Sequence, residues 1–270
     1  MKISNHRLEG EGVEYLESPN QGGPYEEGNL DTIIIHYTAG ASAQGAIQTL
    51  SDIERKVSAH LVVGRDGYIA QLLPFDTVGW HAGKSTWGER EGFNKYSIGI
   101  EIDNPGQLEE RDGLFVSWFG GEYPEDEVVR AVHRNQTRPT CWHAFTEVQI
   151  RVVEELCVLL IQEYGICHIL GHEEIAPDRK IDPGPAFPLD ELRGRLLSRP
   201  VVQAGNQGVV QAGRLNIRTA PQGRAERVAG FLKEGTRLKI LEKNKGWYRV
   251  TVELEGWVPG RYVEEGGSGN

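Results

Sequence analysis

Two histidines and an aspartate stand where they could share a metal ion. His36 ends the apolar run Thr32-Ile33-Ile34-Ile35 and is followed by the loop Tyr37-Thr38-Ala39-Gly40. His172 follows Ile169-Leu170-Gly171 and opens a loop containing Pro177, Pro183 and Pro185, with Asp182 ten residues beyond it. Two His and one carboxylate at strand ends can form a three-ligand zinc site with an open fourth position. Such a site lowers the pKa of water from about 15.7 to about 7, making hydroxide available at neutral pH. The sequence has no His-Glu-x-x-His helix, so spacing alone leaves open that these histidines are structural.

Glu101 lies in the apolar stretch Ser97-Ile98-Gly99-Ile100-Glu101-Ile102. A carboxylate inside such a strand costs free energy unless it is paired or put to use. Alternation places Gly99 and Glu101 on one face and Ile98, Ile100 and Ile102 on the other, so Gly99 leaves room beside the carboxylate. Two readings stand: a partner for a core arginine, or a general acid/base whose pKa is raised by burial. Lys180, two residues before Asp182, is either a solvated loop lysine or a stabiliser of a developing oxyanion.

The elements that must position these groups read as one α/β domain over residues 1–198. Thr32–His36 and Ser97–Ile102 are continuous apolar runs, which suggests strands buried on both faces. Ala46, Leu50, Ile53 and Val57 recur at three and four, predicting an amphipathic helix from Ala41 to Val57. His60–Val63 and Tyr68–Leu72 predict a strand pair turned at Arg65-Asp66-Gly67. Residues 104–144 read as irregular and turn-rich, yet their aromatics (Phe115, Trp118, Phe119, Tyr123, Trp142) predict an ordered segment, filling core or walling a groove. Thr146 and Gln149 predict a capping box. Val148, Val152, Leu156, Leu159 and Leu160 then form a stripe, and Gly165 stops the helix. A strand at Ile166–Gly171 and a helix at Pro188–Leu197 close the domain. Residues 199–213 read as a linker, 214–263 as a small β-barrel of short runs separated by turns, and 264–270 as a flexible tail.

Bulk properties narrow the function classes. A formal net charge of −10 disfavours nucleic-acid binding and simple electrostatic capture by anionic polymers. Cys141, Cys157 and Cys167 form no C-x-x-C pair and no disulfide framework. No apolar stretch approaches the roughly 20 residues of a membrane span, so membrane insertion is not expected. The N-terminal MKISNHRLEGEGVEYLESPN lacks an apolar core and a small-residue cleavage site. The expectation is cytoplasmic synthesis, with any action outside the cell requiring release by something other than a leader in this sequence.

Four segments, IIIHYTAG, VSAHLVVGRDGYIAQLLPFDTVGWHAG, NKYSIGIEIDN and LGHEEIAPDRKIDPGPAF, resemble the zinc-dependent N-acetylmuramoyl-L-alanine amidase family. That family shares its fold with peptidoglycan-recognition proteins, and the resemblance is strongest to the branch containing the anhydro-muropeptide amidases. It covers about residues 30–197. The resemblance implies a mixed central sheet flanked by helices. It implies zinc ligands His36, His172 and Asp182, a catalytic Glu101, and Lys180 at the carbonyl oxygen. It also implies that His60, Trp80, His81 and Arg179 line the substrate groove; for His60 a structural role and for Arg179 a solvated one stand as alternatives. His6, His133, His143 and His168 match no motif and read as surface or structural. The segments around Leu215–Pro221, Gly246–Val250 and Gly256–Val258 resemble a bacterial SH3-type domain. The implied activity is cleavage of the bond between N-acetylmuramic acid and L-alanine in peptidoglycan or muropeptides. The rival is a non-catalytic peptidoglycan-recognition protein, a reading tied to family members that lack a zinc ligand.

Overall fold

A computed structural model describes residues 1–197, 207–221, 225–228, 230–244 and 246–252. The chain divides into two compact units, Met1–Arg199 and Pro200–Asn270. Among the described residues no helix is long and apolar enough to cross a membrane.

The first unit is built on a six-stranded mixed sheet. Its strands are β1 (Val13–Tyr15), β2 (Thr32–Tyr37), β3 (Leu61–Val63), β4 (Ile69–Gln71) and β5 (Ser97–Ile102), with a sixth at His168–Gly171. From one edge the order is His168–Gly171, β2, β5, β3, β4, β1. The first four run parallel, and β4 pairs antiparallel with β3 through the predicted Asp-Gly turn. Gly67 takes φ +91 in that turn, a left-handed conformation that a Cβ would strain.

The alternation read from β5 sets the two faces. Ile33, Ile35, Ile98, Ile100 and Ile102 pack on one side against Val153, Leu156, Cys157 and Leu160 of the long helix Glu147–Tyr164. That helix has both reciprocal bonds of the Thr146/Gln149 capping box and ends at Gly165 in the left-handed region. Its buried stripe holds Leu156 and Leu160 as expected, but in the first turns it is offset by one residue. Gln149 and Val153 face the sheet while Val148 and Val152 are half-buried, and the Gln149 amide donates to the Asp103 carbonyl at 2.8 Å. On the other side Ile34 meets Ala82, Phe93, Leu170 and Ile175. There Val62 and Leu72 pack on Ile47 and Leu50 of the helix Ala43–Ser51. That helix is shorter than the sequence suggests. Asp52 is extended, Lys56 takes φ +53, and Ile53 is 63% exposed, so the apolar periodicity past Ser51 is not helical.

Residues 104–144 are not irregular. They form a five-stranded antiparallel sheet from Gln107–Arg111, Leu114–Val116, Glu122–Tyr123, Val128–Val132 and Pro139–His143. His143, on its last strand, and His133, just past Val128–Val132, are both buried.

In the second unit, Arg237–Asn244 pairs with Trp247–Val252 and with Gln207–Val209, and Arg214–Leu215 pairs with Leu232–Lys233. Gln207–Val209 lies inside the stretch read as a linker. The expected run at 256–258 lies outside the described residues.

Candidate active site

Register brings the chemistry together. Gly171 stands opposite Ile35, so the next residue, His172, lies beside His36; His36 in turn stands opposite Glu101. Three adjacent strand ends thus carry His172, His36 and Glu101 in a row, at the carboxyl ends where open α/β sheets bind ligands. The side chains project from the face opposite the long helix. They border a cleft of about 420 Å³ with Tyr37, Trp80, Lys180 and Asp182.

Three donors converge. His36 Nδ1 lies 2.9 Å from His172 Nδ1 and 3.0 Å from Asp182 Oδ2, and His172 Nδ1 lies 3.0 Å from the same oxygen. Their residues are 1%, 2% and 6% exposed. Burial and the neighbouring His172 push the His36 pKa down to about 4, so the ring is neutral at pH 7. Burial alone would raise the Asp182 carboxyl, but its two histidine neighbours outweigh it and hold the group below the ordinary carboxylate range. Two ring nitrogens and a carboxylate oxygen aimed at one another in a dry site repel unless a cation lies between them. Three ligand atoms on a tetrahedral zinc with bonds of about 2.1 Å stand roughly 3.4 Å apart, a few tenths beyond the observed triangle. The donor set and its geometry fit a metal such as zinc.

Glu101 faces this cluster with its Oε2 buried and without a hydrogen-bond partner. Burial, and then the charge on Asp182, raise its pKa well above the usual carboxylate value; Lys180 opposes them. The core arginine that one reading required is absent from its described contacts, and what faces Glu101 is the cleft.

The remaining expected residues separate. Trp80 and Arg179 line the cleft. Arg179 is anchored there: its guanidinium donates to the carbonyls of Ala82 and Lys84 and packs over Gly83. His81 borders the cleft, but its ring lies against Gly99 and both nitrogens are engaged below the surface. Gly99 therefore makes room for His81 rather than for the Glu101 carboxylate. His60 does not reach the groove. It is fully buried, accepts from the Gly99 N–H at Nδ1 and donates to the Thr77 carbonyl from Nε2.

Sequence reasoning missed a second set of residues. Asn94 accepts from the backbone N–H groups of His81 and Ala82 and fixes that loop. His133 Nε2 donates to Glu173 Oε2 at 2.6 Å, and Arg134 Nε donates to Glu173 Oε1 at 2.8 Å, tying the second sheet to the residue after His172. Only the pairing of distant segments reveals these contacts; no local motif marks them.

The family model described as N-acetylmuramoyl-L-alanine amidase matches residues 26–185, and that of a bacterial SH3 domain matches residues 213–264. The 1,6-anhydro-N-acetylmuramyl-L-alanine amidase AmpD of Escherichia coli (strain K12) is 35% identical over 144 residues, 53% of this chain and 58% of that protein. The N-acetylmuramoyl-L-alanine amidase AmiD of the same organism is 30% identical over 172 residues, 60% of this chain and 52% of the relative. The chain thus spans little more than half the length of these relatives. A crystal structure of AmpD superposes with TM-score 0.50 at 24% identity, covering 72% of this chain and 98% of that one, which is a likeness of fold. The chain belongs to the N-acetylmuramoyl-L-alanine amidase family and carries a bacterial SH3 domain.

Proposed function

We propose that this protein is a zinc-dependent hydrolase. It cleaves the amide between the lactyl group of N-acetylmuramic acid and L-alanine in muropeptides or peptidoglycan. One observation carries the reading: three buried donors converge beside an unpartnered carboxyl oxygen in the same cleft. The names of the AmpD and AmiD relatives support that bond as the target.

His36, His172 and Asp182 hold the zinc, which supplies Lewis acidity at the scissile carbonyl. Glu101 takes a proton from the attacking water and returns it to the nitrogen of the departing L-alanine. One water is consumed, and a lactyl carboxylate and a free amine result. The burial that raises the Glu101 pKa makes it a stronger base, which suits a group that accepts a proton and then returns it. Lys180 stabilises the developing oxyanion, a role whose loss costs about 2.7–4 kcal/mol in comparable sites. Trp80 and Arg179 border the bound substrate. The unit beginning at Pro200 holds polymeric wall material. All three metal donors are in place, which favours the enzyme over a recognition protein that binds without cutting.

The test is metal removal. Dialysis against a chelator should abolish release of L-alanyl peptide from a muramoyl-peptide, and added Zn²⁺ should restore it. Full turnover by metal-free protein would end the zinc reading, and binding without turnover in the zinc-loaded protein would favour recognition alone.

A further inference from the structure

The buried histidines beneath the cleft are connected in a definite order. His81 Nε2 lies 3.2 Å from the Ser97 carbonyl and 3.4 Å from Ser97 Oγ. The Ser97 hydroxyl is already committed as a donor to the Phe93 carbonyl at 2.6 Å. Both neighbours of His81 Nε2 are therefore acceptors, and this nitrogen must carry the proton. Among the described residues no carboxylate hydrogen-bonds to His81, so a buried imidazolium would be uncompensated and the ring is neutral. Its Nδ1 is then a lone pair, 3.0 Å from His36 Nε2. His36 must donate from Nε2, which leaves His36 Nδ1 bare and aimed at His172 and Asp182. His172 reaches the same state more directly, its Nε2 donating to the Ala82 carbonyl at 3.2 Å.

We infer that His81 is a positioning residue: a relay from the Ser97 carbonyl through His81 fixes His36 in the tautomer that offers Nδ1 to the metal. Gly99 is part of the device, because a Cβ there would stand 2.5 Å from the His81 ring. His60 packs edge-on to His81 at 5.8 Å between ring centroids and closes the far side. The inference rests on the proposed role of His36 as a ligand. It moves His81 from the substrate to the scaffold of the metal site. Outer partners of this kind govern metal affinity, typically by about 10–100-fold.

The test uses the full chain and reads zinc, not turnover. His81→Phe keeps a ring of similar volume against Gly99 but removes the acceptor. His81→Asn places Oδ1 near the position of Nδ1 and keeps it. In competition with a chromogenic chelator, His81→Phe should weaken zinc binding by about 10–100-fold, with His81→Asn within a few-fold of the parent. Imidazole ¹⁵N NMR of the zinc-loaded parent, which needs no variant, should find the His36 proton on Nε2. Equal zinc affinity in a folded His81→Phe protein, loss in His81→Asn as large as in His81→Phe, or a proton on His36 Nδ1 would each overturn the relay. A parent protein that binds no zinc would instead overturn the proposed function, and the relay with it.

Discussion

Replacing Glu101 by glutamine should inactivate the protein and stabilise it at once. The carboxyl sits among groups that do not need it for folding: Oε2 has no hydrogen-bond partner, and the nearby Asp182 charge repels its ionised form. A buried polar atom left without a partner costs about 1–3 kcal/mol. Glutamine keeps the shape and still buries polar atoms, so the expected gain at pH 7 lies near the lower end of that range. The dependence on pH is the sharper signature. The folded pKa of Glu101 is raised above its ordinary 4.5, so the protonated carboxyl is the form the fold prefers. Below the unfolded value both states are protonated and the parent pays no ionisation penalty. As pH rises through that value towards the raised folded one, the parent loses stability that the glutamine variant keeps. The difference between them should therefore be small at pH 4 and grow towards neutrality. Urea melts of the zinc-free proteins across that range, followed on the transition of the first unit, measure it directly. Turnover of a muramoyl-peptide should fall roughly 10²–10⁴-fold, with zinc content unchanged. A variant no more stable than its parent at pH 7, or a gain of equal size at pH 4 and pH 7, would refute the account of a carboxyl held uncompensated for use.

Three further outcomes follow from the packing. Gly99→Ala gains about 0.5–1 kcal/mol from strand propensity. Its Cβ meets the His81 ring at 2.5–2.8 Å, an overpacking that costs about 1–3 kcal/mol, so a net loss in stability and in zinc affinity is expected; calorimetry showing a rise in Tm would contradict it. Leu156→Ala, which opens a cavity between the long helix and β5, should cost about 2–5 kcal/mol in chemical denaturation while leaving zinc stoichiometry intact. Truncation after Arg199 should keep hydrolysis of a soluble muramoyl-peptide within a few-fold and reduce clearing of insoluble wall much more, because tethering raises effective concentration only at a polymer; loss of the soluble activity by a folded truncation would make the second unit part of the site.

What the sequence disclosed depended on whether local physics determined the outcome. Ser97–Ile102 was legible to the residue because alternation and β-branching act within the strand itself. The Thr146 start and Gly165 stop were legible because capping is local. The second sheet was not. Gln107-Leu108-Glu109-Glu110-Arg111 has one buried apolar side chain, and its pairing with Pro139–His143 is set by tertiary contact. His60 and His81 resembled each other as groove residues, but only the backbone register shows that one is wholly buried and the other leans on Gly99. Likewise the first turns of the long helix bury a polar residue, Gln149, whose amide partner lies 46 positions away.

The second sheet bears on the metal site through Glu173. Nine residues separate His172 from Asp182, and closing that segment in one geometry opposes chain entropy. Glu173 closes it twice: its N–H donates to the Asp182 carbonyl at 2.8 Å, and its Oε2 accepts from the Gly184 N–H at 3.0 Å. That carboxylate is itself buried, which raises its pKa; His133 and Arg134, just past the strand Val128–Val132, oppose the effect and supply the hydrogen bonds that fix it. Trp142 completes the support, since its ring stacks on His133 and lies where a Cβ at Gly184 would be, 2.6 Å away. His133, Arg134 and Trp142 therefore act on the donors through Glu173 and Gly184. They hold the residue that holds the loop, and the ligand triangle inherits its precision from contacts that lie forty positions away in the chain.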